Sequence, residues 1–454
     1  MATREVLERT RNQSDPVAAS RYTAAVRLSS FSFANYRSFV DWTTVEIRPL
    51  TLVFGYNSAG KSAAMRLLPL LAASVGAGGR SPLALDSEPA RGASFRDVLS
   101  KLSDSPTLEL GLAWSDTESQ LDIKLGIRDL PDRQTQILDR IRVSLGSPDR
   151  PRTLEALWDT ENAHLGAPVQ LYDLRGSDSA PESMQLTVSG LRFSGPEGRP
   201  FSALLECASS ELNDLALQTH WLNSLRAVPQ RTFRLGSAIG RMAPDGTNAS
   251  QLLAQDDIVG GGLAGQVSEW FRRVTGHLLT VKRFAAGVEQ QFSVVTTPPN
   301  ATSIVEVPIV DTGEGMAQVL PVIVLGCLAQ SGQLGNNPIL AIEHPELHLH
   351  PAAHSELASF FCTLASAESK PLILVETHSE NFMLRVQIAI AEGKIPASDV
   401  VVHWVRSLDD GRSVIDQIVF DEGARPTGWP PGVFSEDTEQ AKSLLKARRE
   451  RGLP

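Results

Sequence analysis

Two continuous apolar runs, Ile339–Ile342 and Leu372–Val375, stand out in the second half of the chain. Runs of this kind suit strands buried on both faces of a parallel sheet. The helix-like stretch His354–Ala367 lies between them, so the order is that of a βαβ unit. Near the start, strand-like alternation covers Ala25–Leu28 and Phe31–Phe33. A short strand over Thr44–Ile47 leads through Pro49 into the apolar run Leu50–Phe54. Leu108–Trp114 and Gln120–Ile127 alternate as a half-buried antiparallel pair does. Helical periodicity is read over Thr135–Leu145 and Phe201–Leu217, with Thr187–Phe193 strand-like between them. Residues 1–24 lack apolar periodicity and read as a flexible arm. No sustained heptads occur before residue 311, which argues against a long coiled-coil arm.

These segments predict an α/β protein with a mixed β-sheet and helices. Residues 25–128 would form a first lobe, residues 129–300 a mainly helical insert facing a partner or DNA, and residues 301–454 a second lobe.

The strongest chemical signal follows the run Leu50–Phe54. Gly55-Tyr56-Asn57-Ser58-Ala59-Gly60-Lys61-Ser62 matches G-x-x-x-x-G-K-[ST] at every fixed position, and helix-like Ala63–Leu68 follows at once. Glycines allow successive N–H groups to turn toward a phosphate, and the helix start adds unpaired N–H groups and its positive dipole end. Asn57, Ser58, Ala59 and Gly60 would line the phosphates, Lys61 would reach the β- and γ-phosphates, and the Ser62 hydroxyl would bind Mg2+. A plain glycine turn before a lysine would not need the strand and helix that flank it.

Composition narrows the rest. The chain has 454 residues, 42% hydrophobic and 21% charged, which is ordinary for a globular protein. No apolar run reaches the ~20 residues that cross a bilayer. The N-terminal residues carry Arg4, Arg9 and Arg11 without a signal-like apolar core, so cytoplasm is expected. Cys207, Cys327 and Cys362 form no CxxC pair, which points to neither a disulfide framework nor a zinc site. A net charge of −10 argues against a surface coated for nucleic acid, although a local basic groove stays open.

Four later segments add to the nucleotide reading. Ile339–Glu343 is an apolar strand ending in a carboxylate, the form of a Walker B strand, and Glu343 is the acid expected beside Ser62 on Mg2+. His344, Pro345 and Glu346 follow. Asp311–Gln318 is glycine-rich and opens a helix, a second anion-facing helix start. Glu376-Thr377-His378-Ser379 places His378 at the tip of the second buried strand. His344, His348, His350 and His354 recur at short spacings that could also be read as a metal cluster.

In this order the segments resemble the ABC-type AAA ATPases of the RecF/SMC/OLD group, nearest a bacterial, phage-defence-like branch lacking a TOPRIM domain. Asn35–Phe39, Leu225–Arg231 and Trp429–Phe434 extend the resemblance over most of residues 25–445. It implies an ABC-type P-loop ATPase head that binds ATP and Mg2+ and works as a homodimer or higher oligomer. Lys61 and Ser62 would hold phosphate and Mg2+, with Glu343 as the Walker B acid. Gly313, Gly315 and Gln318 would contact the γ-phosphate held by the opposite protomer, His378 would be the switch histidine, and Leu347–His350 the D-loop. Two departures stand out. His344 replaces the usual catalytic glutamate, leaving Glu346 and His344 as candidate bases. Ala317 replaces the signature serine, with the acid Glu314 nearby. Hydrolysis is therefore expected to be slow.

The role implied is a sensor or regulatory ATPase in anti-phage defence, acting on a separately encoded effector such as a nuclease. Only 76 residues (454 − 378) follow His378, without a Glu plus Asp-x-Asp acidic set, so a nuclease of its own is not expected. A RecF-like DNA-maintenance clamp and a non-hydrolysing ATP-dependent scaffold are the alternatives; DNA stays open as a partner, and a membrane is not expected.

Overall fold

The computed structural model describes residues 27–77, 81–116, 119–133, 135–147, 149, 151–159, 169–176, 182–199, 201–286, 289–298, 305–429 and 436–450. The expected arm over residues 1–24 and most of the Trp429–Phe434 segment lie outside them. The chain divides into two compact units. One comprises Met1–Ile47, Arg66–Thr219 and Ser407–Val414. The other comprises Arg48–Met65, His220–Arg406 and Ile415–Pro454.

The first unit is built on a nine-stranded antiparallel sheet. Its strands are β1 (Arg27–Ala34), β2 (Thr43–Glu46), β4 (Thr107–Ser115), β5 (Gln120–Leu130), β6 (Thr135–Gly146), β7 (Arg152–Trp158), β8 (Val169–Gly176), β9 (Glu182–Ser189) and β10 (Arg192–Ser194). They run in the order β10-β9-β8-β7-β6-β5-β4-β1-β2. Leu108, Leu110 and Leu112 of β4 and Leu121, Ile123, Leu125 and Ile127 of β5 are buried, as the alternation predicts.

Strand β6 corrects the helix expected over Thr135–Leu145. Its pairing with β5 shifts between Gly126 and Ile127, leaving Asp139 as an extra residue. Leu138 on one side of that bulge and Ile141, Val143 and Leu145 on the other oppose the alternate residues Ile127, Leu125, Ile123 and Leu121. The three-residue step from Leu138 to Ile141 imitates a helical period although the backbone is extended. Residues 129–300 are thus not mainly helical. They hold β6–β10, then α3 (Ser202–Gln218) and β11 (Thr219–Leu222). After these come α4 (Ala249–Val259), α5 (Leu263–Thr275), β12 (Leu278–Ala286) and β13 (Glu289–Thr297). Helices α1 (Lys61–Gly76) and α2 (Phe95–Val98) precede them.

The second unit centres on a seven-stranded sheet, in the order β11-β15-β16-β3-β17-β18-β19. It contains β3 (Leu50–Gly55), β15 (Ile339–Glu343), β16 (Leu372–Glu376), β17 (Val400–Ser407), β18 (Ser413–Phe420) and β19 (Pro426–Thr427). Strands β15, β16, β3 and β17 are mutually parallel, and β15, β16 and β3 are buried along their whole length. This confirms the reading of the unbroken apolar runs. A three-stranded sheet of β12, β13 and β14 (Val307–Pro308) completes the unit's strands.

Helix α6 (Glu314–Gln330) is buried from Val319 to Ala329. The most apolar stretch of the chain is therefore a core helix, apolar all round because protein surrounds it. Helices α7 (Pro351–Ala365) and α8 (Glu380–Ala391) follow β15 and β16. Their Phe361 and Phe382 join Leu52, Ile342, Ile373 and Val375 in one continuous core. Helix α9 (Glu436–Glu450) carries the basic residues Lys442, Lys446, Arg448 and Arg449, all exposed. No helix among the described residues is long and apolar enough to cross a membrane.

Candidate functional site

The parallel strands end side by side, and the residues singled out from the sequence converge at those ends. Strand β3 stops at Gly55, and the loop over residues 56–60 leads into α1 at Lys61. Asn57 and Ser58 are exposed, whereas Ala59 is buried and Gly60 half-buried. Lys61 is only 4% exposed, and its Nζ donates to the Tyr56 carbonyl at 2.8 Å, across the loop. Burial lowers the pKa of its ammonium, and the Glu376 carboxylate opposes that shift.

Strands β15 and β16 each run four apolar residues into a glutamate. Glu343 and Glu376 are register partners, 0% and 1% exposed. Glu343 Oε1 accepts from the Trp221 indole Nε1 at 3.1 Å. The Ser62 hydroxyl donates to Glu376 Oε1 at 2.6 Å, so the expected partner of Ser62, Glu343, is not the acid it touches. The second oxygen of Glu376 is buried without a hydrogen-bond partner. Burial raises the Glu376 pKa, against the bond from Ser62.

After Glu343 the chain turns sharply: His344 has φ +43° and donates its backbone N–H to the Glu376 carbonyl at 2.8 Å. Its imidazole stacks on His378, ring centres 5.1 Å apart at 11°, and its Nε2 lies 3.6 Å from Glu376 Oε1. His378 is held down to about 4 by burial, then by Lys61 and His344, with Glu346 pulling the other way. At neutral pH it is an uncharged imidazole. Glu346 Oε1 accepts from the His378 backbone N–H at 2.9 Å, and its Oε2 is buried without a partner. The two candidate bases and the switch histidine therefore share one corner.

The glycine-rich segment opens α6, with Gly313 at the N-cap. A Cβ on Gly315 would lie 2.4 Å from the His348 carbonyl oxygen, so glycine allows the helix start to approach the turn after Pro345. Glu314 is exposed, 3.7 Å from His348 Nδ1. Gln318 Nε2 donates to the Arg226 carbonyl at 3.1 Å. The buried Arg226 guanidinium in turn donates to the backbone carbonyls of Glu343 and His344. Burial lowers the Arg226 pKa to about 10, with Glu346 and Glu343 opposing. It remains a cation at neutral pH, joining the α6 opening to the end of β15.

Three residues of this corner were missed from the sequence. Glu376 carried a readable signal, since β15 and β16 end in the same apolar-then-glutamate pattern. Trp221 and Arg226 lie more than a hundred residues from Glu343; Arg226 falls within the Leu225–Arg231 segment of the resemblance, which gave it no role at the site, and no local pattern marks Trp221. The four histidines 344, 348, 350 and 354 have other partners. His350 caps α7 by accepting from the Ala352 N–H, and His354 bonds Ser379 Oγ and the Leu349 carbonyl. Among the described residues, no group of three or more His, Cys, Asp or Glu could hold a metal. The hard oxygens of Ser62, Glu343 and Glu376 nonetheless suit Mg2+, which takes one or two carboxylates and completes its shell with water and phosphate. The partnerless oxygen of Glu376 fits that use.

His220, beside Trp221 on β11, is 6% exposed, and burial followed by the Arg241 charge lowers its pKa to about 4. The unfolded chain takes up that proton near 6.5, so between pH 6.5 and 4 it binds more protons than the folded chain, and stability falls as pH falls. His220→Gln is expected to gain about 2 kcal/mol relative to the parent on going from pH 7 to pH 5. Urea unfolding of both proteins at the two pH values measures it.

Fold and site together define a mixed α/β protein with a P-loop and two carboxylates at the ends of neighbouring parallel strands. Residues 259–383 match the family model described as an AAA ATPase domain, a span that includes α6, β15 and β16. No curated protein matches the chain. Among solved structures it is similar to the SmcHead bound to the C-winged helix domain of ScpA (12% identity, TM-score 0.45, 87% of this chain and 98% of that one). It is also similar to the Smc head domain with an extended coiled coil bound to the C-terminal domain of ScpA from Pyrococcus furiosus (10%, 0.45, 94% and 100%). A third is the SMC head domain from Thermotoga maritima (11%, 0.38, 86% and 98%).

Proposed function

We propose that this chain is an ATP-binding, slowly hydrolysing ATPase whose copies pair around the nucleotide. The observation that carries the reading is the P-loop pair itself: Lys61 and Ser62 open a helix directly after a buried parallel strand, and Ser62 bonds a buried carboxylate on the next strand. Backbone N–H groups of residues 57–60 and the α1 start would bind the phosphates, and Lys61 would leave the Tyr56 carbonyl for them. Ser62 with the strand-end carboxylates would hold Mg2+, which supplies charge neutralisation to the transferred phosphate. Gly313, Gly315 and Gln318 would meet the γ-phosphate held by a second copy. Because the P-loop and this segment each occur once, two chains give two such sites with two-fold symmetry.

Glu346, with a carboxylate oxygen that lacks a hydrogen-bond partner, and the His344–His378 stack are the groups available to orient water. Neither reproduces a glutamate directly after the strand acid, which is the basis for slow turnover. Sedimentation velocity with a non-hydrolysable ATP analogue is expected to convert single copies to dimers, and lone copies under saturating analogue refute the pairing. Glu343→Gln, which keeps the hydrogen bond from Trp221 but removes a charge, is expected to slow phosphate release about tenfold or more and to lengthen the dimer's lifetime. Unchanged turnover in a phosphate-release assay removes Glu343 from the mechanism.

The resemblance of the motif set to defence ATPases supports a regulatory role in anti-phage defence over a separately encoded effector. Affinity purification from the native host with ATP is expected to recover that effector; a purified chain whose own nuclease activity is lost in Glu343→Ala refutes the arrangement. The net charge of −10 weighs against the DNA-clamp reading.

A further inference from the structure

We infer that Glu376, rather than Glu343, is the carboxylate that binds the nucleotide's divalent cation directly, together with Ser62. The inference rests on the nucleotide reading of the P-loop and names the metal ligand within that site.

Three observations carry it. The first is the bond itself. Ser62 Oγ and Glu376 Oε1 are 2.6 Å apart, a charge-assisted contact between the P-loop hydroxyl and a single acid. The hydroxyl that would bind the cation is already held against Glu376, so a cation bound to Ser62 is placed beside that carboxylate. The second is the unused oxygen. Glu376 is 1% exposed, and its Oε2 has no hydrogen-bond partner. An ionised oxygen taken out of water costs several kcal/mol unless something compensates it. A hard cation would compensate it, with coordination replacing the missing hydrogen bond.

The third observation is the occupation of the alternative acid. Glu343 is fully buried, and its Oε1 is taken by the Trp221 indole. The Arg226 guanidinium clamps the backbone carbonyl of the same residue. Glu343 is built into its surroundings, one strand further from the P-loop, because β16 lies between β15 and β3. Glu376 is on the strand paired with β3, and Glu376 and Val53 are register partners. Glu343 would then act behind Glu376, as a second negative charge that strengthens the hold on the cation. Ser62 and Glu376 supply two protein ligands, and phosphate oxygens and water would supply the rest, the usual shell for Mg2+ beside a nucleotide.

The test compares the intact chain with Glu376→Gln, Glu376→Asp and Lys61→Ala. Affinity for a fluorescent ATP analogue is measured with EDTA and with Mg2+, and Mn2+ bound beside the nucleotide is counted by electron paramagnetic resonance. Glu376→Gln should bind analogue in EDTA within about twofold of the parent, while its Mg2+-linked gain and its Mn2+ affinity fall about tenfold or more. Glu376→Asp, which keeps the charge on a shorter arm, should fall between the two. A Glu376→Gln protein that keeps the full Mg2+-linked gain overturns the inference. So does one whose affinity falls equally with EDTA and with Mg2+, since the acid then serves the loop and not the cation. If Glu376→Gln does not fold, a Mn2+ affinity in Glu376→Asp that falls below the parent's while binding in EDTA is kept supports the carboxylate as ligand, and either parental Mn2+ affinity or an equal loss of nucleotide binding in EDTA refutes it. Lys61→Ala binding the analogue as the parent does would overturn the nucleotide reading instead, so the two failures are distinguishable.

Discussion

Lys61→Ala should lower ATP affinity by about two to four orders of magnitude while leaving the fold in place. Lys61 is buried to 4% exposure, and its ammonium donates to the Tyr56 carbonyl of its own loop. In the proposed function that bond would give way to the phosphates. A hydrogen bond to a charged group contributes about 1.5–3 kcal/mol, and a lysine reaching two phosphates makes two of them. Losing both, about 3–6 kcal/mol, corresponds to about a hundredfold to ten-thousandfold in the dissociation constant. Isothermal titration calorimetry gives the affinity, and a thermal melt checks the fold, since removing a charge whose pKa burial already lowers costs the folded state little. Unchanged affinity would mean that the nucleotide binds elsewhere.

Gly55→Ala should instead damage the fold around the same loop. Gly55 ends β3 at φ +143°, a region closed to side-chain-bearing residues, and a Cβ there would lie 2.1 Å from the Val405 carbonyl oxygen. Val405 is its register partner on β17, so the clash falls on backbone that cannot turn aside. Backbone strain of about 1–3 kcal/mol adds to overpacking of similar size. The expected loss is about 2–6 kcal/mol, seen as a fall in denaturation midpoint and in soluble yield. Gly260→Ala is the control: φ is also positive, at +73°, but nothing stands within 4 Å of the added carbon. Equal behaviour of the two variants would show that the β3–β17 approach is looser than described.

What could be read from the chain alone was whatever repeats at short range. Strands β3, β15 and β16 were legible because burial on both faces demands unbroken apolar side chains, and the P-loop was legible because its chemistry needs fixed residues at fixed spacing. The placement of β6 was not, since the bulge at Asp139 shifts the apolar positions by one and turns a two-residue period into a helical one. The site divides the same way. Lys61, Ser62, Glu343, His344, Glu346 and His378 were named from local motifs, and these fall at one corner. The pairing among them was not legible, since it depends on which strands are neighbours.

The sequence by itself determined that a phosphate-binding loop follows a buried strand, that two further buried strands end in glutamate, and that histidines follow each. Tertiary structure alone decided that β16 inserts between β3 and β15. That order sets Glu376 against Ser62 and ties Glu343 to Trp221 and Arg226. The reason is physical: a motif is a property of neighbouring residues, whereas strand order is settled by burying all the apolar faces at once. The side chain that meets Ser62 comes from 314 residues further along the chain.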